Sequence, residues 1–180
     1  MSTQPFVRPR SGRSAARTTV GLAIAAVVTV VLAACGSNSA ESSQYGDPVA
    51  PISAETIAGK PTTIPAPGEA TVLIFYSVGC GTCVGITQHI ATLAPEYPNA
   101  QYVAVNIDAS ENVRTSKGFL EYIKSPDIVG VNDTNGEIAK AYGVNAVSTI
   151  VVLNSEGQIV MQAVTPPKDD IAAAMKTATA

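Results

Sequence analysis

The hydrophobic and polar positions of the chain predict alternating strands and helices. The segment Thr71–Tyr76 carries no charge and does not alternate, which is typical of a central strand covered on both faces. In the segment that follows, apolar residues recur at helical spacing: Cys83, Ile86, Ile90 and Leu93. Two prolines, Pro95 and Pro98, then predict the end of this helix.

The next segments continue the strand and helix order. Residues 101–108 form a second buried strand pattern, and residues 110–124 and 128–131 fit a helix and a short strand. A further short helix is expected to begin at a capping box, with Thr134 as the N-cap and Glu137 at the third helical position.

Two hairpins are predicted near the ends of this region. The first joins residues 55–57 to residues 62–64 through a Gly-Lys-Pro turn, and the second joins residues 149–153 to residues 158–163 through a turn ending in glycine. A last helix is expected to start at Thr165 and Pro166, since proline suits the first helical position.

The N-terminus differs from the rest of the chain. Although 46% of the 180 residues are hydrophobic and 14% are charged, Arg8, Arg10, Arg13 and Arg17 precede an uncharged run over residues 18–34. A basic segment followed by an apolar one predicts an export signal. The run is short for a bilayer-spanning helix, which needs about 20 residues, and an uncleaved anchor is the alternative.

The residues Leu32, Ala33, Ala34 and Cys35, followed by glycine, resemble the lipobox of bacterial lipoproteins. The resemblance implies a signal peptide over residues 1–34, an acylated Cys35 at the start of the mature chain, and a small, polar tether over residues 35–47. The location expected from it is the extracytoplasmic face of the cell membrane. Residues 35–180 hold 7 basic and 14 acidic residues, a net charge of −7, which argues against nucleic acid as a partner.

A dithiol, Cys80-Gly81-Thr82-Cys83, stands between the first buried strand and its helix. A sulfur at a helix start lies beside unpaired backbone N–H groups and the positive end of the helix dipole, so a thiolate is favoured at Cys80. Cys83 lies one turn further in and would attack a mixed disulfide formed at Cys80. The same two cysteines would also form half of a zinc site, so the motif needs its context.

The arrangement of strand, C-x-x-C and helix resembles the thioredoxin superfamily. About 25 residues, a predicted helix and strand, follow the second buried strand, and this insertion resembles the membrane-tethered TlpA/ResA-like branch. The resemblance covers residues 48–178. It implies an α/β fold with a central mixed β-sheet flanked by helices, an N-terminal hairpin, and a helix-strand insertion after the second main strand.

The chain departs from the family pattern at three positions. The triplet Val147-Ser148-Thr149 stands where the family has a cis-proline, and a trans bond before Ser148 is expected because a cis bond there costs about 3 kcal/mol. This restores a backbone N–H and adds a hydroxyl beside the sulfurs. No tryptophan precedes Cys80, and Ile86 replaces a glutamate of the family.

Carboxylates and a histidine are further candidates for a role at the dithiol. Without that glutamate, three carboxylates are candidates to approach it: Glu55, Glu69 and Asp108. His89 lies nine residues after Cys80, on the opposite face of the helix, and is expected to be a partly exposed helix residue.

The resemblance implies a thiol–disulfide oxidoreductase that reduces protein disulfides, for instance between apocytochrome cysteines, and is itself reduced by a membrane thiol donor. Cys80 would be the nucleophile and Cys83 the resolving cysteine, with Gly81, Thr82, Ser148 and Thr149 lining the substrate site. A monomer without cofactor or resident metal is expected. The alternatives are a carrier of cuprous or mercuric ions on the same dithiol, and a peroxidase, which only Ser77 supports.

Overall fold

The computed structural model describes residues 46–180, in which seven strands, four α-helices and one 3-10 turn follow one another. The strands are β1 (Ile52–Glu55), β2 (Pro61–Ile64), β3 (Thr71–Tyr76), β4 (Gln101–Asn106), β5 (Ile128–Asn132), β6 (Thr149–Leu153) and β7 (Ile159–Val164). The helices are α1 (Gly81–Leu93), followed by the 3-10 turn Ala94–Glu96, then α2 (Val113–Ile123), α3 (Glu137–Ala141) and α4 (Lys168–Ala178).

The main sheet has five strands in the order β5-β4-β3-β6-β7. Strands β3, β4 and β5 are parallel, whereas β6 and β7 run antiparallel to their neighbours, so the sheet is mixed. All six residues of β3 are buried at the centre of the sheet. The predicted fold class, a central mixed sheet flanked by helices with a helix and strand inserted after β4, is confirmed.

Alternate residues of β3 enter two separate cores. Val72, Ile74 and Tyr76 pack with helices α1, α2 and α4 on one face of the sheet. On the other face, Leu73 and Phe75 pack beneath α3 and the N-terminal hairpin. Complete burial of each such side chain contributes about 1.5–3 kcal/mol to the free energy of unfolding, and β3 contributes side chains to both cores.

The N-terminal hairpin β1–β2 lies against the edge of the main sheet. The Ile57 N–H donates to the Gly130 carbonyl at 2.8 Å, and Thr56 forms an isolated bridge with Val131. The prediction of a hairpin is confirmed, but its first strand is Ile52–Glu55 rather than residues 55–57. The reason is that Glu55 already pairs with Pro61, which leaves the following residues to form the turn.

The predicted capping box at α3 is wrong. The N-cap is Gly136, which has a φ of +71°, and Glu137 is the first helical residue rather than the third. The first-turn N–H groups of Ile138 and Ala139 instead donate to the two carboxylate oxygens of Asp133, at 3.1 and 2.8 Å. The carboxylate of the residue directly before the expected cap therefore performs the capping.

The start of α4 also differs from the prediction. This helix begins at Lys168, with Pro167 at the N-cap, rather than at Pro166. Pro166 precedes another proline, and a residue in that position is held out of the helical region by steric clash.

The predicted signal peptide 1–34, the lipidated Cys35 and most of the tether 35–47 lie outside the described residues. Between residues 46 and 180, no helix combines the length and the hydrophobicity that crossing a bilayer requires.

Candidate active site

Cys80 is the N-cap residue of α1. The chain leaves β3 at Tyr76, turns through a hydrogen bond of 3.1 Å from the Cys80 N–H to the Ser77 carbonyl, and enters the helix at Gly81. The Cys80 sulfur accepts from the Cys83 N–H at 3.2 Å. The sulfur therefore lies at the positive end of the helix dipole and receives a backbone amide, an arrangement that favours a thiolate.

Cys83 lies in the first turn of α1 and is completely buried. It forms a disulfide with Cys80, with the two Cα atoms 5.3 Å apart. Cys80 is half-buried, so an incoming sulfur can reach Cys80 but not Cys83. Cys80 is thus the accessible sulfur of the pair, and the roles of attacking and resolving cysteine stay a prediction.

Ser148 lies directly against the disulfide. Its hydroxyl oxygen is 3.5 Å from the Cys80 sulfur, 3.3 Å from the Cys83 sulfur and 2.8 Å from the Thr82 hydroxyl. Among residues 46–180 the only cis peptide bond joins Ile64 and Pro65, so the bond before Ser148 is trans, as expected. The expected hydroxyl beside the sulfurs is therefore present.

The backbone of Ser148 is held on both sides. Its N–H donates to the Phe75 carbonyl and its carbonyl accepts from the Thr165 N–H, both at 2.8 Å. The N–H that a non-proline residue restores is thus used inside the fold. The φ of Ser148 is +61°, a conformation that side-chain-bearing residues seldom adopt, and it is maintained by these two bonds.

The other residues predicted to line the substrate site are placed differently from one another. Gly81 and Thr82 are exposed at the start of α1, and the Thr82 hydroxyl is 3.4 Å from the Cys80 sulfur. Thr149 is buried in β6 and its hydroxyl donates to the Ala146 carbonyl at 2.7 Å. The structure therefore brings Thr82 and Ser148 to the sulfurs and directs the Thr149 side chain into the fold.

Glu111 was not anticipated, and it supports the loop that carries Cys80. Both of its carboxylate oxygens lie 2.9 Å from the Val78 backbone nitrogen, which donates to them. The side-chain amide of Asn106 donates to the same carboxylate at 2.6 Å and to the Ser116 hydroxyl at 3.0 Å. The predicted parallel pairing of β3 and β4 was the one sequence signal for this contact. The carboxyl ends of parallel strands meet at one edge of the sheet, so residues after β4, such as Glu111, can approach the loop after β3.

The carboxylates named as candidates do not contact the sulfurs in the described part of the chain. Asp108 instead accepts from the Ser110 N–H and hydroxyl, at 2.9 and 2.6 Å. These bonds lower the pKa of the Asp108 carboxyl. Glu55 ends β1, and Glu69 precedes β3, at the end of that strand opposite the dithiol.

A profile of the Redoxin family matches residues 44–177. The chain belongs to the Redoxin family. This match spans both cysteines, the helix-strand insertion and the loop of Ser148, and it confirms the resemblance to the thioredoxin superfamily.

Two curated proteins and one solved structure are similar to the chain. The Redoxin chain is 34% identical over 122 residues to "Mercury resistance operon ORF3" of Streptomyces lividans, covering 65% of each chain. It is 25% identical over 107 residues to "Sporulation thiol-disulfide oxidoreductase A" of Bacillus subtilis, covering 58% of this chain and 65% of the relative. The crystal structure of StoA from Bacillus subtilis superposes with a TM-score of 0.60 at 25% identity, covering 72% of this chain and 98% of that one. The chain thus spans just under two thirds of the length of the two curated relatives.

The single histidine of this Redoxin domain lies away from the dithiol, as expected. The His89 ring nitrogen Nε2 is 3.4 Å from the Lys168 carbonyl, where α1 approaches the start of α4. Over residues 46–180 no three His, Cys, Asp or Glu side chains come together as a metal-binding group.

Proposed function

We propose that this chain is a thiol–disulfide oxidoreductase that reduces protein disulfides. The observation that carries the proposal is the half-buried Cys80 at the N-cap of α1, bonded to a completely buried Cys83. Membership of the Redoxin family and the relative described as a thiol-disulfide oxidoreductase support it. Cysteines with this placement are typical of catalytic rather than structural sites.

In the reducing direction, the Cys80 thiolate attacks one sulfur of the substrate disulfide. A mixed disulfide forms between Cys80 and the substrate, and the first substrate thiol leaves. Cys83 then attacks the Cys80 sulfur, the second substrate thiol leaves, and the Cys80–Cys83 disulfide remains. The protein dithiol loses two electrons and the substrate disulfide gains them.

We further propose that the domain works at the extracytoplasmic face of the cell membrane, held there by acyl chains on Cys35. The lipobox-like residues 32–35 and the basic and apolar residues before them support this location. An exported dithiol rests as a disulfide unless it is reduced, so a membrane thiol donor is the expected partner.

The anchor is tested by expressing the chain and its Cys35→Ser variant in a bacterium. We expect the unaltered chain in the membrane fraction, with the mass of an acylated protein cleaved before Cys35. The variant should keep its uncleaved, unacylated mass. An unacylated wild-type chain would contradict the anchor without affecting the proposed redox chemistry.

The redox function is tested by equilibrating the full chain, carrying Cys35→Ser, in glutathione buffers and measuring alkylation of Cys80 and Cys83 by mass spectrometry. The Cys80→Ser and Cys83→Ser variants serve as controls, since neither can form the disulfide. A midpoint near about −270 mV supports a reductant, whereas one near about −120 mV makes the protein a disulfide-forming enzyme. If no reversible disulfide forms across this range, the proposed function is wrong.

A second candidate function is capture of a soft metal ion by the reduced dithiol. The favouring observation is the Ser148 hydroxyl, which lies 3.5 Å or less from both sulfurs and adds an oxygen to the two thiolates. The Streptomyces relative is described as part of a mercury resistance operon, and thiolates are preferred ligands of soft metals. Retention of one mercuric or cuprous ion per reduced chain after desalting from excess glutathione would favour this function.

A further inference from the structure

The resolving step requires that the buried Cys83 thiol lose its proton. In the described part of the chain, no charged group contacts the Cys83 sulfur, and the one hydrogen-bonding side chain within reach is Ser148, at 3.3 Å. Cys83 is 0% exposed, so solvent does not reach its sulfur directly. A proton leaving Cys83 therefore meets the Ser148 hydroxyl first.

A second hydroxyl continues this path to the surface. Ser148 is 2% exposed, and its oxygen lies 2.8 Å from the Thr82 hydroxyl, an ordinary distance for a hydrogen bond between two hydroxyls. Thr82 is exposed, and its oxygen is also 3.4 Å from the Cys80 sulfur, where substrate is bound and released. The three contacts form an unbroken chain from Cys83 to the reacting face.

We propose that Ser148 and Thr82 form a proton relay for Cys83, an inference that rests on the proposed oxidoreductase function. A hydroxyl donates one hydrogen bond while accepting another, so each residue can take a proton on one side and release one on the other. A proline at position 148 would have neither a donor nor an acceptor in its side chain. The relay would move the proton of Cys83 in a chain that has isoleucine at position 86, where the family has a glutamate.

The chemistry of the step balances without any further reactant. The Cys83 S–H bond breaks as the Cys83 sulfur bonds to the Cys80 sulfur, and the bond from Cys80 to the substrate sulfur breaks. The Cys83 proton passes to Ser148 Oγ, the Ser148 proton passes to Thr82 Oγ1, and the Thr82 proton passes to the departing substrate thiolate. In the opposite direction the same hydroxyls return a proton to Cys83.

The relay is tested on the full chain carrying Cys35→Ser, reduced and then mixed with oxidised glutathione. Acid quenching and mass spectrometry follow first the gain of glutathione at Cys80 and then its loss as Cys83 attacks. Two variants remove one hydroxyl each: Ser148→Gly, because glycine tolerates the positive φ, and Thr82→Val at the exposed helix start. Thr82→Ser is the conservative variant, and Thr92→Val removes a hydroxyl from the same helix far from the sulfurs.

We expect Ser148→Gly and Thr82→Val to slow the loss of glutathione by about 100-fold near neutral pH, a typical loss when a proton-transfer group is removed. Their rates should rise with pH and approach the wild-type rate where the Cys83 thiol ionises unaided. Thr82→Ser should restore the rate, and Thr92→Val should match the wild type.

Other outcomes would overturn the relay and leave the proposed function standing. These are an unchanged rate in both hydroxyl-free variants, an equal slowing at every pH, or a slowing confined to the first attack by Cys80. Failure of the wild-type chain to gain and then lose glutathione would contradict the proposed function itself.

Discussion

Removal of the Glu111 carboxylate should destabilise the domain and loosen the loop that carries Cys80. The carboxylate accepts from the Val78 N–H at 2.9 Å and from the Asn106 side-chain amide at 2.6 Å. Hydrogen bonds to a charged group contribute about 1.5–3 kcal/mol each, or about 3–6 kcal/mol together. Glu111 is half-buried, so water replaces part of this, and the Asn106 amide keeps its bond to Ser116. We therefore expect Glu111→Ala to cost about 2–3 kcal/mol.

The assay is urea unfolding of the disulfide form followed by far-ultraviolet circular dichroism, since the chain contains no tryptophan. Glu111→Gln keeps one acceptor oxygen but places an amide beside donors, and we expect about 1–2 kcal/mol of destabilisation. Glu121→Ala is the control, because this glutamate is exposed on α2, the helix that follows Glu111, and should change stability by no more than about 0.5 kcal/mol. If Glu111→Ala is as stable as Glu121→Ala, the carboxylate does not support the loop.

Three further outcomes follow from the core. Gly130→Val should destabilise the domain in urea by about 1–3 kcal/mol, because a Cβ there would lie 2.8 Å from Ile57 Cδ1 and 2.9 Å from Leu120 Cδ1; unchanged stability would contradict this packing. Tyr142→Phe should unfold at the same or a higher urea concentration, since the buried Tyr142 hydroxyl has no hydrogen-bond partner among residues 46–180; a clear loss of stability would indicate a partner. Burial raises the pKa of Tyr102 to about 12, so the wild-type chain should gain a tyrosinate absorbance near pH 12 that the Tyr102→Phe variant lacks. Because the unfolded chain ionises this tyrosine near pH 10, the stability of the wild type should fall as the pH rises from about 10 to 12. Titration of Tyr102 near the ordinary tyrosine value would refute the shift.

The elements around the dithiol could be predicted because local pattern and tertiary position agree there. The uncharged segment Thr71–Tyr76 is the central strand, and the helical spacing after Cys80 matches the buried face of α1. Hydrophobic periodicity depends only on which face of an element is buried, so it can be read from the sequence without knowing the tertiary contacts. Helix starts were less predictable, as α3 shows: its N-cap residue is Gly136, and the Asp133 carboxylate reaches past it to accept from two first-turn N–H groups.

The polar contacts of the site depend on residues that are distant in sequence. Glu111 meets Val78 across 33 positions, and Ser148 meets Thr82 across 66. No spacing rule connects such pairs, since the contact exists only after the sheet has formed. The sequence could name Thr82 because it lies between the two cysteines, and Ser148 because it stands in the loop before β6, but it could not show that their hydroxyls bond to each other. Glu111 belonged to no motif and was missed.

Two departures from the family pattern, the serine in place of proline and the isoleucine in place of glutamate, together determine which polar groups surround Cys83. A serine hydroxyl that is 2% exposed needs hydrogen-bond partners, because an unpaired buried hydroxyl costs about 1–3 kcal/mol. Thr82 and the two sulfurs provide them. Ile86 is buried in the core and offers no group to Cys83. The Ser148 hydroxyl is therefore held by Thr82 and is the one polar side-chain contact of the resolving sulfur among the described residues, so on the proposed relay a substitution that removes this hydroxyl should slow proton transfer from Cys83.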